Sequence, residues 1–145
     1  MEKIRILHLI EDLSRGGAQR RLLNDVRYLD AAAFENRIAY LFARTELTQD
    51  FDSLNIPQLF LGKSAVKRFF ALKKILADYK PHIVHSQLFF ANVLARIALA
   101  GNRDSTLVST LQYPDYDRDC NAGVYSLKRK SIDRATRMLL SLIHI

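Results

Sequence analysis

The residues best able to do chemistry in this 145-residue chain are a glycine pair, a few histidines and glutamines, and a single cysteine. Gly16-Gly17 stands six residues beyond an apolar run, Ile4 to Ile10, and directly before an amphipathic stretch that begins at Ala18. Two residues without a β-carbon let the backbone turn tightly and let a ligand come close, while the amides that open a helix point outward without partners. A phosphate suits such a place. The helix dipole adds only about 0.3–1 kcal/mol for an anion near an exposed N-terminus, so the amides themselves would supply most of the grip. A plain tight turn fits the same two glycines equally well. His82 and His85 are three apart on a candidate strand, so they face opposite sides, cannot hold a metal together and read as structural. No metal site is expected. Cys120 has no second cysteine to pair with and reads as a loop thiol.

Two familiar phosphate loops fail when tested position by position. A dinucleotide fingerprint needs three glycines, but Ser14, Gly16 and Gln19 occupy its best alignment, and the second strand ends in Ala43-Arg44-Thr45 without the acidic ribose partner. Gly62-Lys63-Ser64 looks like the end of a nucleotide-triphosphate loop, yet Pro57 sits where its first glycine is required. Nucleotide hydrolysis is therefore not expected.

The elements that must position these residues alternate between short apolar runs and helix-period segments, the mark of a parallel sheet wrapped by helices. Strands are expected at Ile4 to Ile10, Arg37 to Ala43, Gln58 to Leu61, His82 to Ser86 and Thr106 to Gln112, bounded by Pro57, Gly62, Pro81 and Pro114. In the first helix Ala18, Leu22, Val26 and Leu29 make the apolar face. From Ala65 to Lys80, Val66, Phe69, Phe70, Leu72, Leu76 and Tyr79 form one broad apolar arc, and Pro81 ends the helix. Leu88 to Ala100 is apolar on most sides and closes on Gly101-Asn102, as a largely buried helix with a left-handed cap does. The fold class is thus α/β, a Rossmann-like parallel sheet of about five strands flanked by helices, in one domain over residues 1–139.

A net charge of +7 and a pI near 9.8 predict attraction to something anionic. Nucleic acid is not expected, because the basic residues form no tail with interleaved aromatics and no zinc-finger, basic-zipper or RNP pattern occurs. No apolar run approaches the roughly 18–20 residues of a membrane span, and Ile4 to Ile10 is too short and polar for a signal-peptide core, so a cytoplasmic location is expected. A last helix from about Gly123 carries Lys128, Arg129, Lys130, Arg134 and Arg137; this basic face is either simply solvated or a peripheral contact with an anionic membrane.

Three segments in order, LHLIEDLSRGGAQRRLLNDVRYLD, KPHIVHSQLFFANVLARIAL and VSTLQYPDYD, resemble the family 4 retaining glycosyltransferases over about residues 3 to 139. The resemblance implies the N-terminal, acceptor-side half of a GT-B fold, whose donor-binding half would follow. It places Gly16 and Gly17 beside the diphosphate of a nucleotide-sugar donor and Gln19 near the acceptor. The family's cleft histidine at the end of the fifth strand falls on Gln112, the one catalytic position implied here, with Tyr113 in place of the family's asparagine; another frequent histidine falls on Gln87. An amide donates and accepts hydrogen bonds but cannot change charge near neutral pH, so a role needing imidazolium is lost at Gln112. Gln87, Asn92 and Tyr113 join Gln19 as acceptor-side positions. Asn92 is equally a local hydrogen-bonding residue, and the Tyr113 to Asp119 stretch either a solvated loop or a lid.

By the same resemblance the intact protein is a hexosyltransferase-type enzyme acting on a nucleotide sugar and a glycan or lipid-linked saccharide in polysaccharide biosynthesis, with no cofactor. The chain alone is expected to be inactive. A non-catalytic Rossmann-like module for a phosphate ligand or anionic lipid is the alternative. Leu140 to Ile145 reads as an in-frame translation of a transposase mosaic-end adapter, so residues 140–145 are expected to be a non-native tail.

Overall fold

The computed structural model describes residues 2–110. The elements run β1 (Ile4–Ile10), α1 (Gly17–Tyr28), β2 (Phe34–Tyr40), α2 (Thr48–Ser53), β3 (Gln58–Phe60), α3 (Ala65–Tyr79), β4 (Ile83–Gln87), α4 (Phe89–Leu99) and β5 (Thr106–Thr110). All neighbouring strands are parallel, in the order β3-β2-β1-β4-β5. The α/β class and the five-stranded parallel sheet read from the sequence are both present.

Side-chain alternation along β1 sorts the helices into two layers. Leu7 and Leu9 join a core with Leu72, Leu76 and Tyr79 of α3 and Ala91, Ala95 and Ala98 of α4. Ile10 points the other way, into a core with Leu22, Leu23 and Val26 of α1 and Phe51 of α2. Both faces of the central strand are thereby buried, which is why Ile4 to Ile10 reads as a nearly continuous apolar run.

Several boundaries move. The second strand is Phe34–Tyr40, not Arg37 to Ala43, because it pairs residue for residue with β1, from Ile4 opposite Phe34 to Ile10 opposite Tyr40. Beyond it the amides of Leu41 and Phe42 both turn onto the Glu11 carbonyl, which ends the ladder. The polar Glu35-Asn36 near its start hides the first three residues from an apolar search. β3 stops at Phe60 and β4 is shifted one residue, to Ile83–Gln87. Helix α2 was not expected; its only buried side chain is Phe51, too little to show a period. In α3, Ser64 caps the start by accepting from the Lys67 amide, and Lys80 closes the helix in the left-handed region just before Pro81. Its apolar arc is narrower than expected, since Val66 and Phe70 lie outside the core, 66% and 65% exposed. Helix α4 likewise leaves Phe90 and Ile97 about half exposed.

Candidate functional site

The strand order reverses between β1 and β4: the chain leaves β1 toward β2 and β3, and β4 leads away to β5. In open parallel sheets ligands bind outside the carboxyl ends of the strands at such a point, where the flanking loops diverge. Here β1 delivers Glu11 to Gly17, and β4 delivers Gln87, Leu88 and the start of α4.

The β1 loop is held by Asp12. One of its carboxylate oxygens accepts from the Ser14 amide (3.1 Å), the Ser14 hydroxyl (2.7 Å) and the Gln19 carboxamide (2.6 Å), while the Arg44 guanidinium stands 3.9 Å from the other. Leu13 fastens the loop to its neighbour: its amide donates to the Arg44 carbonyl and its carbonyl accepts from Leu47. The two glycines differ in their reasons. Gly16 is the N-cap of α1 in ordinary extended backbone, and a β-carbon there would collide with Oε1 of Gln19 as that side chain folds back to Asp12. Gly17, the first helical residue, is exposed, and a β-carbon there would meet nothing within 4 Å. A side chain at 16 would thus displace the Gln19 carboxamide, whereas one at 17 would displace nothing. No side chain caps α1, and among the described residues the amides of Gly17, Ala18 and Gln19 have no hydrogen-bond acceptor.

A second helix, α4, also begins at the switch point, but a carboxylate already stands at its N-terminus. Glu11 Oε1, from the end of β1, accepts from the Phe90 amide at 2.8 Å, and its charge would repel a second anion. Among the described residues, α1 thus keeps all three of its first-turn amides open to an incoming anion, while at α4 the Phe90 amide is already taken. Between β4 and α4, Leu88 lies at φ 72°, ψ 165°, a region occupied almost only by glycine and costing about 1–3 kcal/mol for other residues. Its side chain is buried with Ile10, Leu13 and Leu22, and that burial holds the turn in place.

Behind the crevice lie two buried polar networks. On the α4 face, the Ser86 hydroxyl donates to Asn92 Oδ1 (2.7 Å), Ser109 lies 3.0 Å from Ser86 Oγ, and Asn92 Nδ2 donates to the Thr110 carbonyl (3.2 Å). With the Ser86 proton spent on Asn92, Ser109 must be the donor of its pair. On the α1 face a ladder crosses four strands: Asn36 Oδ1 to His8 Nε2 (3.0 Å), His8 Nδ1 to His85 Nδ1 (3.2 Å), and His85 Nε2 to Thr110 Oγ1 (2.8 Å). Asn36 Oδ1 can only accept, so His8 carries its proton on Nε2 and accepts at Nδ1; His85 then donates from Nδ1 and accepts at Nε2 from Thr110. Every bond is satisfied with both rings neutral, and protonating His8 would set two N–H groups against each other. Burial pushes the His8 pKa down to about 4, partly offset by Asn36 and reinforced by His85; burial lowers that of His85 too, with Asp25 opposing and Arg21 adding to the shift. The two rings meet edge to face beneath an open groove of about 520 Å³ between α1 and strands β1, β4 and β5, lined by Ile6, Ile83, Val108 and Tyr28 among others.

The expected site residues therefore separate. Gly16 and Gly17 sit at the open helix start. Gln19, Gln87 and Asn92 are all buried, and the Gln19 and Asn92 carboxamides are committed to Asp12 and to the Ser86–Thr110 network. His82 is structural, as expected: its Nδ1 accepts from the Arg5 amide at the opposite end of the sheet. His85 pairs with His8 of another strand, a contact that spacing within one strand could not reveal. Asp12 and Glu11 were missed, although two acids immediately after a buried strand are a visible signal. Gln112, Tyr113, Cys120, the basic segment from Lys128 and the tail lie outside the described residues.

Comparison with known proteins finds a match to the model of one family, Glycosyltransferase Family 4, over residues 15–144. No curated protein matches the chain.

Proposed function

The chain belongs to glycosyltransferase family 4, and on that premise we propose that it is the acceptor-side half of an enzyme that moves a sugar from a nucleotide-diphosphate donor to a hydroxyl group with retention of configuration. The observation that carries the reading is the pairing of that family match with an uncapped α1 N-terminus at the switch point, where the Gly17, Ala18 and Gln19 amides are unclaimed and Gly17 leaves room for a ligand against the backbone.

In this reading the amides of the first turn of α1 take an oxygen of the donor diphosphate. Charge builds on that group as the glycosidic bond breaks, so donors fixed in advance stabilise the departing diphosphate more than the intact donor. The Asp12–Gln19 bridge keeps those amides in position, which makes Gln19 a positioning residue. The acceptor, a glycan or lipid-linked saccharide, approaches from the carboxyl ends of β4 and β5, with Gln87 on that side; by the resemblance alone, Gln112 and Tyr113 are acceptor-side positions too. Catalysis rests on orientation and on stabilisation of the leaving group, shared with a donor-binding half supplied by the rest of the protein.

The test is a product assay on the full-length gene product with a panel of uridine and guanosine diphosphate sugars and extracted glycan or lipid-linked acceptors. Release of nucleoside diphosphate coupled to a product with the donor's anomeric configuration is expected. An inverted product, or consumption of no nucleotide sugar by a folded protein, would sink the reading. Residues 1–145 alone are expected to give no turnover.

A further inference from the structure

We propose that the outward face of α3 docks on an anionic lipid bilayer. Val66, Lys67, Phe70, Lys74 and Ala77 all project within about 100° of the helix circumference, given 3.6 residues per turn. The core residues Leu72, Leu76 and Tyr79 lie on the other side. Val66 and Phe70 are one turn apart and two-thirds exposed, the most exposed large aliphatic and phenylalanine side chains among the described residues. Phe70 is propped outward: its ring stands edge to face against Phe69, 5.4 Å away, and Phe69 packs on the core. Apolar side chains gain nothing from water in such a place, and insertion into the headgroup boundary removes them from it.

The charge around the pair selects the partner. Lys63, Lys67 and Lys74 are exposed, and no ion pair among the described residues uses them. Arg68 and Lys73 are different, since their cationic groups donate to the carbonyls of Gly62, Lys63 and Ala98. The one acid on the helix is Asp78, in its last turn. Free cations flanking two exposed apolar side chains are complementary to an anionic leaflet, where charge attracts the helix and the apolar pair anchors it. Helix α3 follows β3, so its first turn starts from the same carboxyl edge of the sheet as the Gly16-Gly17 loop. Docking through Val66 and Phe70 would bring that edge to the bilayer surface.

Vesicle flotation of the purified chain tests this without any sugar, so its outcome is independent of the transfer reading. Binding to vesicles of 70:30 phosphatidylcholine and phosphatidylglycerol, weakened by salt and absent on pure phosphatidylcholine, is expected. K67Q/K74Q should lower the partition roughly 25-fold, at about fivefold for each lysine near the leaflet. V66S/F70S should lower it by about tenfold or more, from loss of apolar burial. All four positions are exposed, so thermal melts followed by circular dichroism should match those of the parent chain. The sequence contains no tryptophan, so Phe70→Trp gives a single fluorescent reporter whose emission should shift to the blue on the anionic vesicles. An unshifted emission from bound protein overturns the proposal. So does equal flotation with neutral vesicles, self-association that V66S/F70S abolishes, or binding that survives both α3 variants and disappears in K128Q/R129Q/K130Q.

Discussion

Replacing Gly16 by alanine isolates what the glycine pair does. The backbone at Gly16, φ −79° and ψ 171°, suits any residue, so the substitution brings no backbone strain. What it brings is a methyl group on the Gln19 Oε1 atom. Gln19 must then swing away and give up its 2.6 Å bond to the buried Asp12 carboxylate, a charge-assisted bond whose loss costs about 1.5–3 kcal/mol. Asp12 keeps its two bonds from Ser14, which places the cost at the lower end, about 1.5 kcal/mol. Two smaller effects oppose each other at a few tenths to about 1 kcal/mol: alanine is a poorer N-cap than glycine, but it restricts the unfolded chain. Urea denaturation of the chain should therefore show Gly16→Ala destabilised by about 1.5 kcal/mol, a fall in Tm of roughly 3–6 °C. In a Gln19→Ala background the same substitution should be nearly neutral, giving a coupling of about 1.5 kcal/mol between the two sites. An equal cost in both backgrounds, or none in the parent, refutes the lock.

Gly17→Ala should leave stability unchanged or raise it by up to about 1 kcal/mol, since its β-carbon meets open space, while lowering nucleotide-sugar turnover by the full-length enzyme; equal turnover would remove the ligand from that position. The His8 ring is neutral in the fold with its pKa near 4 against 6.5 unfolded, so the unfolded state binds more protons between these values and stability falls as pH drops. From pH 7 to 5 the loss should be about 2 kcal/mol in urea midpoints converted to free energy, and His8→Gln should flatten that slope. Asn92→Ala should cost about 2–3 kcal/mol by leaving buried partners unmet; an acceptor-binding defect in a chain of normal stability would show instead that Asn92 is a ligand.

How far the sequence discloses this protein depends on whether a signal is local. The apolar run of β1 and the 3.6-residue period of α1 are local, and both elements appear where the sequence puts them. The register of β2 is not: Phe34 to Asn36 becomes strand because β1 lies beside it, and nothing in those three residues announces that partner. At the site the glycines were legible because their chemistry is that of backbone. The glutamine and asparagine positions were legible as polar and unusual, but a carboxamide looks the same in a sequence whether it faces a ligand or a buried carboxylate. Gln19 is decided by Asp12, seven residues away, and Asn92 by Ser86 and by Thr110 on another strand. Exposure of Val66 and Phe70 is likewise set by what α3 packs against, which a wide apolar arc does not reveal.

Thr110 is the point at which the two buried networks meet. Its hydroxyl donates to His85 on the α1 face and its carbonyl accepts from Asn92 on the other, so the end of β5 is pinned from both sides two residues before Gln112. The hydroxyl also sets the ladder's direction, because its proton occupies the lone pair of His85 Nε2 and forces the His85 proton onto Nδ1, toward His8. Thr110→Val keeps the shape and removes that proton. Stability at neutral pH should fall by about 1–2 kcal/mol for the unmet ring nitrogen. His85 can then take a proton on Nε2 while still donating from Nδ1 to His8, so its folded pKa should lie above that of the parent. A group less depressed in the fold gives up less stability on acidification, and the variant's urea midpoints should fall less steeply than the parent's between pH 6.5 and 5. An identical slope, or a steeper one, would mean that the ladder does not run from Thr110 to Asn36 as the hydrogen-bond chemistry requires.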